Sequence, residues 1–446
     1  MSEKARFPKS FWAANSIELF ERAAYYAVAS FVVIYLHEIL GMSPTKATFL
    51  NGTILWGLIY FMPILSGTLA DRFGFKKSLS LAFSLVVVGY FIMGTVQKFW
   101  PTILGKSPAL IDYTLPIVIG IVFIGIGGSF VKPCIAGTVQ KTSGKFSTLG
   151  FGIFYMTINV GSVMGRIVSY FVRINFGIPS IFTYVATAFA FIGLLVILFI
   201  YKEPEYNETE EKKDIQKPKT LGQALLGMFI VLRNLKFVFF LIIIGFFWFI
   251  YVQIYNLIPL FLRYIDPNAA VELYTLVNPV MIVCFQLLIT KLSKNWTPLK
   301  SIMLGIGVTV AGILLNVLPF VFGMNPFGKT SLLVLVLPVA GVFIALSIGS
   351  MAVGEMLTSP RIYQYIGAIA PKGQEGLYLG YSNLPIALGT IVGAPIGGIL
   401  FEHFISHSTS ETLPGNAIIM WSIVAFMGII SLIGVYIYDK YLIKEK

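Results

Sequence analysis

Apolar runs of about 20 residues, the length that a helix needs to cross the hydrocarbon core of a bilayer, recur along the whole chain. Short polar stretches separate them. The runs lie near 12–38, 48–70, 78–98, 115–139, 148–172, 180–201, 235–262, 271–291, 299–322, 332–367, 375–402 and 415–439. This pattern predicts an all-α membrane protein with twelve transmembrane helices.

One long polar stretch interrupts the pattern, between the sixth and the seventh apolar run. It extends from Lys202 to Lys219 and is rich in Glu and Lys. Such a stretch is typical of a solvated linker between two membrane-embedded halves. We therefore expect an N-terminal six-helix bundle at 1–201, a cytoplasmic linker at 202–222 and a C-terminal six-helix bundle at 223–446.

The composition excludes two other classes of protein. The 446 residues are 57% apolar and 12% charged, with a mean hydropathy of +0.84, whereas soluble proteins are about 25% charged. This charge is too little to cover the surface of a soluble protein. The aromatic content of 15% excludes a disordered chain.

The net charge of +12 is explained by membrane topology. If both termini are cytoplasmic, 22 of the 32 Lys and Arg residues fall in inner segments. Six fall in outer segments: Lys46, Lys98, Lys106, Arg173, Arg263 and Lys329. Basic residues accumulate on the cytoplasmic side of membrane proteins. We therefore expect a multi-pass protein of the cell (inner or plasma) membrane with both termini inside, and the basic excess requires no nucleic-acid partner.

The chain lacks the common sequence signatures of enzymes and of ATP-driven pumps. No nucleophile–base set, no metal-ligand spacing and no Walker-type phosphate loop occurs in it. Cys134 and Cys284 both fall in apolar runs, so no disulfide framework is expected. The first run is long enough to span and lacks a cleavage site, so we expect no cleavable signal peptide. The sequence predicts neither an enzyme nor a bound cofactor or metal.

Seven charged residues fall inside the apolar runs, where each costs about 2.5–3.5 kcal/mol at the bilayer centre. They are Glu18, Glu21, Arg22, Lys132, Arg166, Glu355 and Arg361. Glu18, Glu21, Arg22 and Tyr25 recur at i, i+3, i+4 and i+7 and share one helical face. The set is either a substrate and proton pathway or a group of paired charges that join helices. Its spread over both halves favours a pathway, and its four cations against three carboxylates predict room for one more negative group.

Several motifs resemble those of a known family. The loop after the second run, with Gly67, Asp71, Arg72 and Gly74, is similar to the G-x-x-x-D-R-x-G-R/K-K/R loop of the major facilitator superfamily. Four stretches resemble motifs of its proton-dependent oligopeptide transporter (POT/PTR) family: Glu18-Leu-Phe-Glu21-Arg22-Ala-Ala-Tyr25-Tyr26, Tyr60-Phe-Met-Pro63-Ile-Leu-Ser-Gly67, Phe154-Tyr155-Met-Thr-Ile158-Asn159-Val-Gly161-Ser162 and Gly354-Glu355-Met-Leu-Thr-Ser359-Pro360.

The resemblance implies the major facilitator fold of two six-helix bundles, and roles for single residues. Glu18, Glu21, Arg22 and Glu355 would serve proton coupling. Lys132, which matches a lysine of the family's fourth helix, would form a switching ion pair with Glu355. Asp71 and Arg72 would take part in gating. The implied substrate contacts are Tyr25, Tyr26, Tyr60, Lys132, Asn159, Trp248, Gln253 and Glu355. For the tyrosines, packing between helices is the alternative.

Two departures from the family pattern occur together. The family usually has an arginine where this chain has Ala29, and an acid where it has Val252. Because these two groups normally attract one another, the loss of both leaves no unpaired charge. Arg166 and Arg361 are additions, and two guanidinium groups can clamp a carboxylate or phosphate. We therefore assign both to the substrate site, with the alternative that Arg361 reaches a helix end and Arg166 pairs with Glu18 or Glu21.

The sequence thus predicts a secondary active transporter. We expect proton-coupled symport of short peptides, such as di- or tripeptides, or of a related small zwitterionic or anionic solute, by alternating access. The expected partners are this substrate, protons and the lipid bilayer; the proton gradient supplies the energy, and the chain acts as a monomer. The alternative is a major facilitator exporter of a drug-like or lipid-like compound, whose cavity the 22 Tyr and 38 Phe residues would line. A non-transporting receptor or scaffold is the third hypothesis.

Overall fold

The structure is a computed structural model that describes residues 7–108, 111–204, 222, 232–332, 335–370 and 381–442. Within these ranges the chain is almost entirely helical, and the predicted all-α fold is confirmed. Ten helices are long and apolar enough to cross a membrane, or up to 12 if each of two bent helix pairs is one span. Most of the predicted linker, residues 205–221, lies outside the described ranges.

We number the spans α1 to α12, with α1 and α2 each made of two pieces. The first six are α1 (Lys9–Ala29 and Val32–Ile39), α2 (Pro44–Phe61 and Leu65–Phe73), α3 (Phe75–Leu104), α4 (Thr114–Ser143), α5 (Leu149–Phe176) and α6 (Ile178–Ile200). The others are α7 (Leu235–Ile265), α8 (Val271–Leu292), α9 (Pro298–Leu315), α10 (Val339–Ile369), α11 (Tyr381–Phe404) and α12 (Leu413–Leu442).

Both bent spans break near the middle of an apolar run. The two pieces of α1 meet at 43° across Ser30 and Phe31. In α2 the two pieces meet at 47° across a break that contains Pro63, which has no backbone N–H to continue the helix. A break inside a span exposes backbone polar groups, which then need partners in the protein.

Two predicted spans have wrong boundaries, 299–322 at its C-terminal end and 332–367 at its N-terminal end. Helix α9 ends at Leu315, and a separate helical turn follows at Leu318–Val321. Strands β1 (Lys329–Leu332) and β2 (Leu335–Pro338) then form an antiparallel hairpin, with Lys329 opposite Pro338. Helix α10 begins only at Val339, directly after Pro338, which is both the last residue of β2 and the N-cap of the helix. An apolar run by itself does not distinguish a strand from a helix.

By packing, the described residues form two compact units. The first lies within Met1–Ala29 and Leu58–Phe229, and the second within Ser30–Gly57 and Ile230–Lys446. In the first unit α1 packs along α5 and α3 packs along α4. In the second, α9 packs along α10 and α7 along α11. The division into sequence halves at 201 and 223 stays a prediction, and Ser30–Gly57 packs within the second unit.

Candidate functional site

One face of α1 carries four of the predicted site residues, and it is buried. Glu18 is fully buried, and Glu21, Arg22 and Tyr25 are each 4% exposed. The Arg22 guanidinium binds Glu21 through Nε, and the same Nε lies 3.4 Å from Glu18 Oε1. One arginine therefore serves two carboxylates, and either carboxylate can become its main partner.

Glu18 stands out within this face. In the described part of the chain neither of its buried carboxylate oxygens accepts a hydrogen bond. A buried carboxylate without donors is costly to keep ionised. Proton uptake removes that cost, so the arrangement suits a group that gains and loses a proton.

Two guanidinium groups converge on Tyr26. The Arg166 Cζ lies 4.5 Å from the centre of the Tyr26 ring, and the Arg22 Cζ lies 6.0 Å from it. Such positions over an aromatic face are favourable for a cation. Arg166 is 1% exposed and also donates to the carbonyl and the hydroxyl oxygen of Ser162, one turn earlier on α5.

Two glycines allow α5 to approach α1 this closely. A Cβ at Gly161 would lie 2.7 Å from the carbonyl oxygen of Leu19, and a Cβ at Gly165 would overlap the carbonyl oxygen of Ala23. Small residues bring helix backbones together in membranes. Arg166 directly follows Gly165 and so lies beside this close contact.

Three further predicted residues belong to the same unit. Lys132 of α4 is half-buried, and its Nζ lies 5.7 Å from the centre of the Tyr60 ring. Asn159 is 7% exposed, and its amide donates to the carbonyl oxygen of Tyr155 in its own helix at 3.0 Å. The predicted site residues of this unit therefore carry three cations, Arg22, Lys132 and Arg166, and two carboxylates on α1.

In the second unit, two neighbours orient the carboxylate of Glu355. The Tyr251 hydroxyl donates to Glu355 Oε2 at 2.5 Å, and the Asn278 amide donates to the same oxygen at 3.1 Å. Trp248 contacts the Tyr251 ring edge-to-face, at 5.1 Å between centres. Sequence reasoning missed Tyr251 and Asn278, because it searched the apolar runs for charge and passed over uncharged polar side chains.

Gln253 lies in a contact between helices. It is fully buried, and its amide donates to the carbonyl oxygens of Phe249 at 2.9 Å and Gly393 at 2.8 Å. These bonds join α7 to α11. The structure thus gives Gln253 a packing role, and its contact with a substrate stays a prediction.

Arg361 lies at a helix end rather than beside Glu355. It is six residues, about 9 Å of helix, further along α10. Its Nη2 donates at 2.6 Å to the carbonyl oxygen of Ser293, the residue that ends α8, and its Nη1 donates to Gln364. Cations favour helix C-termini. This is the alternative predicted for Arg361, and we remove the residue from the candidate site.

A buried carboxylate also corrects the charge count from the sequence. Glu272, which the sequence count left out of the charges inside the apolar runs, is fully buried in the first turn of α8. Helix N-termini stabilise a negative charge. With Glu272 buried and Arg361 bonded at a helix end, the predicted count of four cations against three carboxylates inside the membrane-spanning helices is wrong. The cationic excess holds for the first unit alone.

The predicted gating residues Asp71 and Arg72 are exposed at the end of α2. Gly74 follows them with φ +87°, a conformation that favours glycine, and starts the turn into α3. Glu203 accepts the backbone N–H of Phe75 at 2.7 Å and so caps α3. This hydrogen bond joins the loop after Asp71 and Arg72 to the chain just beyond α6. The gating role of these two residues stays a prediction.

Mostly uncharged contacts hold the Ser30–Gly57 segment within the second unit. The hydroxyl groups of Ser30 and Thr275 are 2.7 Å apart, and the Asn51 amide donates to Asn256 Oδ1 at 3.1 Å. Thr45 donates to Glu402 at 2.7 Å. Among the described contacts of this segment one is an ion pair, with Arg263 Nη2 2.6 Å from Glu38 Oε2.

The fold and these buried charges agree with the comparison to known proteins. The family model described as Major Facilitator Superfamily matches residues 16–354, more than half of the chain. The chain belongs to the Major Facilitator Superfamily. This membership accounts for the motif loop at Asp71, and it confirms the predicted superfamily fold.

Among relatives of this superfamily member, the uncharacterised MFS-type transporter YttB of Bacillus subtilis is 25% identical over 388 residues, which cover 83% of each chain. Dipeptide and tripeptide permease A of Citrobacter koseri is 26% identical over 220 residues, which cover 47% of this chain and 39% of the permease. The chain thus spans less than half the length of the peptide permeases that it matches.

Solved structures share the fold over almost the whole chain. A POT family transporter in complex with 5-aminolevulinic acid superposes with a TM-score of 0.70 at 19% identity, covering 97% of both chains. At this identity the likeness concerns the fold alone. The predicted resemblance to the POT family is confirmed at that level.

Proposed function

We propose that the protein is a proton-coupled secondary transporter that takes up short peptides or a related small zwitterionic or anionic solute by alternating access. The observation that carries this proposal is the buried set on α1, in which one arginine is shared between Glu21 and a hydrogen-bond-free Glu18. The similarity to dipeptide and tripeptide permeases supports the choice of substrate.

The proposed coupling uses the shared arginine as a switch. While Arg22 neutralises Glu21, Glu18 carries the proton. A change in the Arg22 side-chain conformation that moves the guanidinium towards Glu18 favours release of that proton, because a nearby cation stabilises a carboxylate. The separation of 3.4 Å between Arg22 Nε and Glu18 Oε1 means that a side-chain movement suffices.

A zwitterionic peptide needs one cationic and one anionic partner. We propose that Arg22 and Lys132 receive a carboxylate of the substrate. We propose that Glu355, oriented by Tyr251 and Asn278, receives an amine. We propose that the rings of Tyr25, Tyr26, Tyr60 and Trp248, and the amide of Asn159, contact the rest of the substrate.

We further propose that the protein works in the cell membrane as a monomer, with both termini cytoplasmic, without a cofactor and without catalysis. Support comes from the 22 basic residues in inner segments against six in outer ones. A cysteine placed at Glu411 would then react with an impermeant maleimide added outside intact cells. Labelling only after lysis would contradict the orientation.

The proton coupling is tested with Glu21→Gln. In proteoliposomes, this change should abolish uptake driven by a pH gradient and leave counterflow of labelled dipeptide intact, because counterflow needs no net proton movement. Glu411→Gln makes the same chemical change at an exposed position and serves as the matched control. Full pH-driven uptake by the Glu21 variant would refute the proposal.

Export of a drug-like or lipid-like compound is the second candidate. The relative YttB, which matches far more of this chain than the permeases do, is described as an uncharacterised MFS-type transporter and not as a peptide permease. Thermal stabilisation of the purified protein, measured with dipeptides, carboxylates and amphiphiles at two pH values, separates the two. Stabilisation by amphiphiles alone would favour the exporter.

A further inference from the structure

The connection between α9 and α10, residues 316–338, exposes many apolar side chains. Five large apolar residues in it are 43–67% exposed: Val321, Phe322, Met324, Phe327 and Val336. The sequence of this connection contains one charged residue, Lys329. Exposed apolar surface of this kind marks a place where a protein meets a membrane or another protein.

Two other connections of the second unit, α7–α8 and α11–α12, provide a comparison. Because successive spans cross in opposite directions, all three connections lie at the same membrane surface. The other two lie wholly within the described ranges, and their exposed residues are polar or proline: Pro267, Asn268, His407, Thr409, Ser410, Glu411 and Thr412. Contact with water at this surface therefore does not account for the apolar side chains between α9 and α10.

The backbone limits how deep the α9–α10 connection can lie in a membrane. In the described part of the chain its sheet has two strands, so β1 and β2 each have one open edge. Open sheet edges do not occur in the hydrocarbon region, because nothing there can bind their polar groups. Apolar side chains on such a backbone suit the boundary between lipid headgroups and acyl chains.

We propose that the α9–α10 connection is a phospholipid-binding element that inserts its exposed apolar side chains into the headgroup boundary of one leaflet. Lys329 and Val336 lie on the same face of the hairpin, as the pairing of Lys329 with Pro338 requires. The Lys329 ammonium then meets lipid phosphates while Val336 meets acyl chains. This inference goes beyond the proposed transport and holds for any transported solute.

A second copy of the chain is the competing occupant, since open strand edges also pair with strands of other chains. Two observations favour lipid. The exposed apolar residues continue those of α9, where Leu304 and Leu314 are 42% and 39% exposed. The single charge of the connection is a cation, which lipid phosphates attract.

Lipid binding here also acts on α10. The Val339 N–H donates to the Gly328 carbonyl oxygen at 2.7 Å. The Ala340 N–H donates to the Pro326 carbonyl oxygen at 3.2 Å. Because these bonds join the connection to the first turn of α10, the leaflet surface anchors one end of the span that carries Glu355.

The test places a nitroxide label on Val336→Cys or Phe322→Cys in the full-length protein, reconstituted into phospholipid nanodiscs. The background is Cys284→Ser, since Cys284 is exposed and Cys134 is buried. Electron paramagnetic resonance then compares how often the label collides with oxygen, which concentrates in lipid, and with a water-soluble nickel chelate. Leu304→Cys in the middle of α9 is the lipid reference, and Ser410→Cys is the water reference.

Both labels should favour oxygen over the chelate, as the label at Leu304→Cys does. Ratios equal to that of Ser410→Cys would overturn the proposal. Low collision rates with both reagents would also overturn it, because a second copy or another protein then covers the surface. In nanodiscs with anionic lipid, Lys329→Glu should shift the ratio of the Val336→Cys label towards the water reference. An unchanged ratio would refute the contact of Lys329 with phosphate.

Discussion

At the scale of single residues, both described hydrogen bonds to Glu355 end on the same oxygen. Tyr251 and Asn278 donate to Oε2 from α7 and α8. They fix the plane of the carboxylate, and we expect the other oxygen, Oε1, to meet the amine of a substrate. An anion that is held in place before binding loses less entropy when its partner arrives.

We therefore expect Tyr251→Phe to raise the KM for dipeptide uptake about ten-fold, the range of one hydrogen bond to a charged group. The change removes the hydroxyl and keeps the ring that Trp248 contacts. Initial rates over a range of substrate concentrations give the result. Tyr264→Phe, which removes a hydroxyl that donates to the Ser408 carbonyl oxygen, should leave KM unchanged. An unaltered KM in the Tyr251 variant would mean that Glu355 does not depend on this bond.

At this scale the sequence was most informative about α1. Charges inside an apolar run are conspicuous because each is costly, and the spacing of Glu18, Glu21 and Arg22 predicts the shared face that the structure shows. Uncharged polar side chains carry a weaker signal, so Tyr251 and Asn278 were missed. Glu272 was left out of the buried charges because it stands at the very start of its apolar run. Arg361 bonds to the end of α8 through Ser293, 68 residues away in the chain, and the sequence pattern does not show such a contact.

At the scale of elements, the contact of α1 with α5 depends on glycine. Gly165→Ala should lower stability by about 1–3 kcal/mol, the usual cost of overpacking, because its Cβ would overlap the carbonyl oxygen of Ala23. Thermal unfolding of the purified protein measures this. Gly152→Ala lies on the same helix with open space around its Cβ and should leave the melting temperature unchanged or raise it. Equal melting temperatures for the two variants would contradict the close packing.

Most of the helices could be predicted from the sequence because a bilayer admits few alternatives: an apolar run of sufficient length crosses as a helix. The hairpin at 329–338 was not predicted from the sequence, because its second strand, Leu335–Pro338, is itself apolar and directly precedes α10. The strand and the helix therefore form one apolar run in the sequence. The bend in α1 at Ser30 also left no signal, since neither glycine nor proline lies there. Its partner, Thr275, is 245 residues away.

At the scale of the whole molecule, the proposed alternating access moves the predicted half 1–201 relative to the predicted half 223–446. The contacts of the Ser30–Gly57 segment with residues beyond 223 then do not all persist throughout the cycle. A disulfide between Ser30→Cys and Thr275→Cys should therefore block uptake, because the hydroxyl oxygens of the native pair are only 2.7 Å apart. The experiment uses a Cys284→Ser background, since Cys284 is exposed. Oxidant should stop transport, and reductant should restore it.

Each single-cysteine variant, treated in the same way, is the control and should transport normally under oxidant. Quantitative cross-linking with undiminished uptake would show that this contact stays closed during the cycle. Mass spectrometry of the oxidised protein gives the extent of cross-linking, so a failure to form the bond is recognised separately.

The residues that the Ser30–Gly57 segment contacts are synthesised long after the segment itself. Ser30, Glu38 and Thr45 precede their partners by 245, 225 and 357 residues. At translation rates of about 5–20 residues per second, the segment waits roughly ten seconds to a minute before its partners exist. During that time the amide of Asn51 lacks Asn256, its partner in the finished protein. The Ser30–Gly57 segment is thus synthesised before its partners and reaches its final packing only after them.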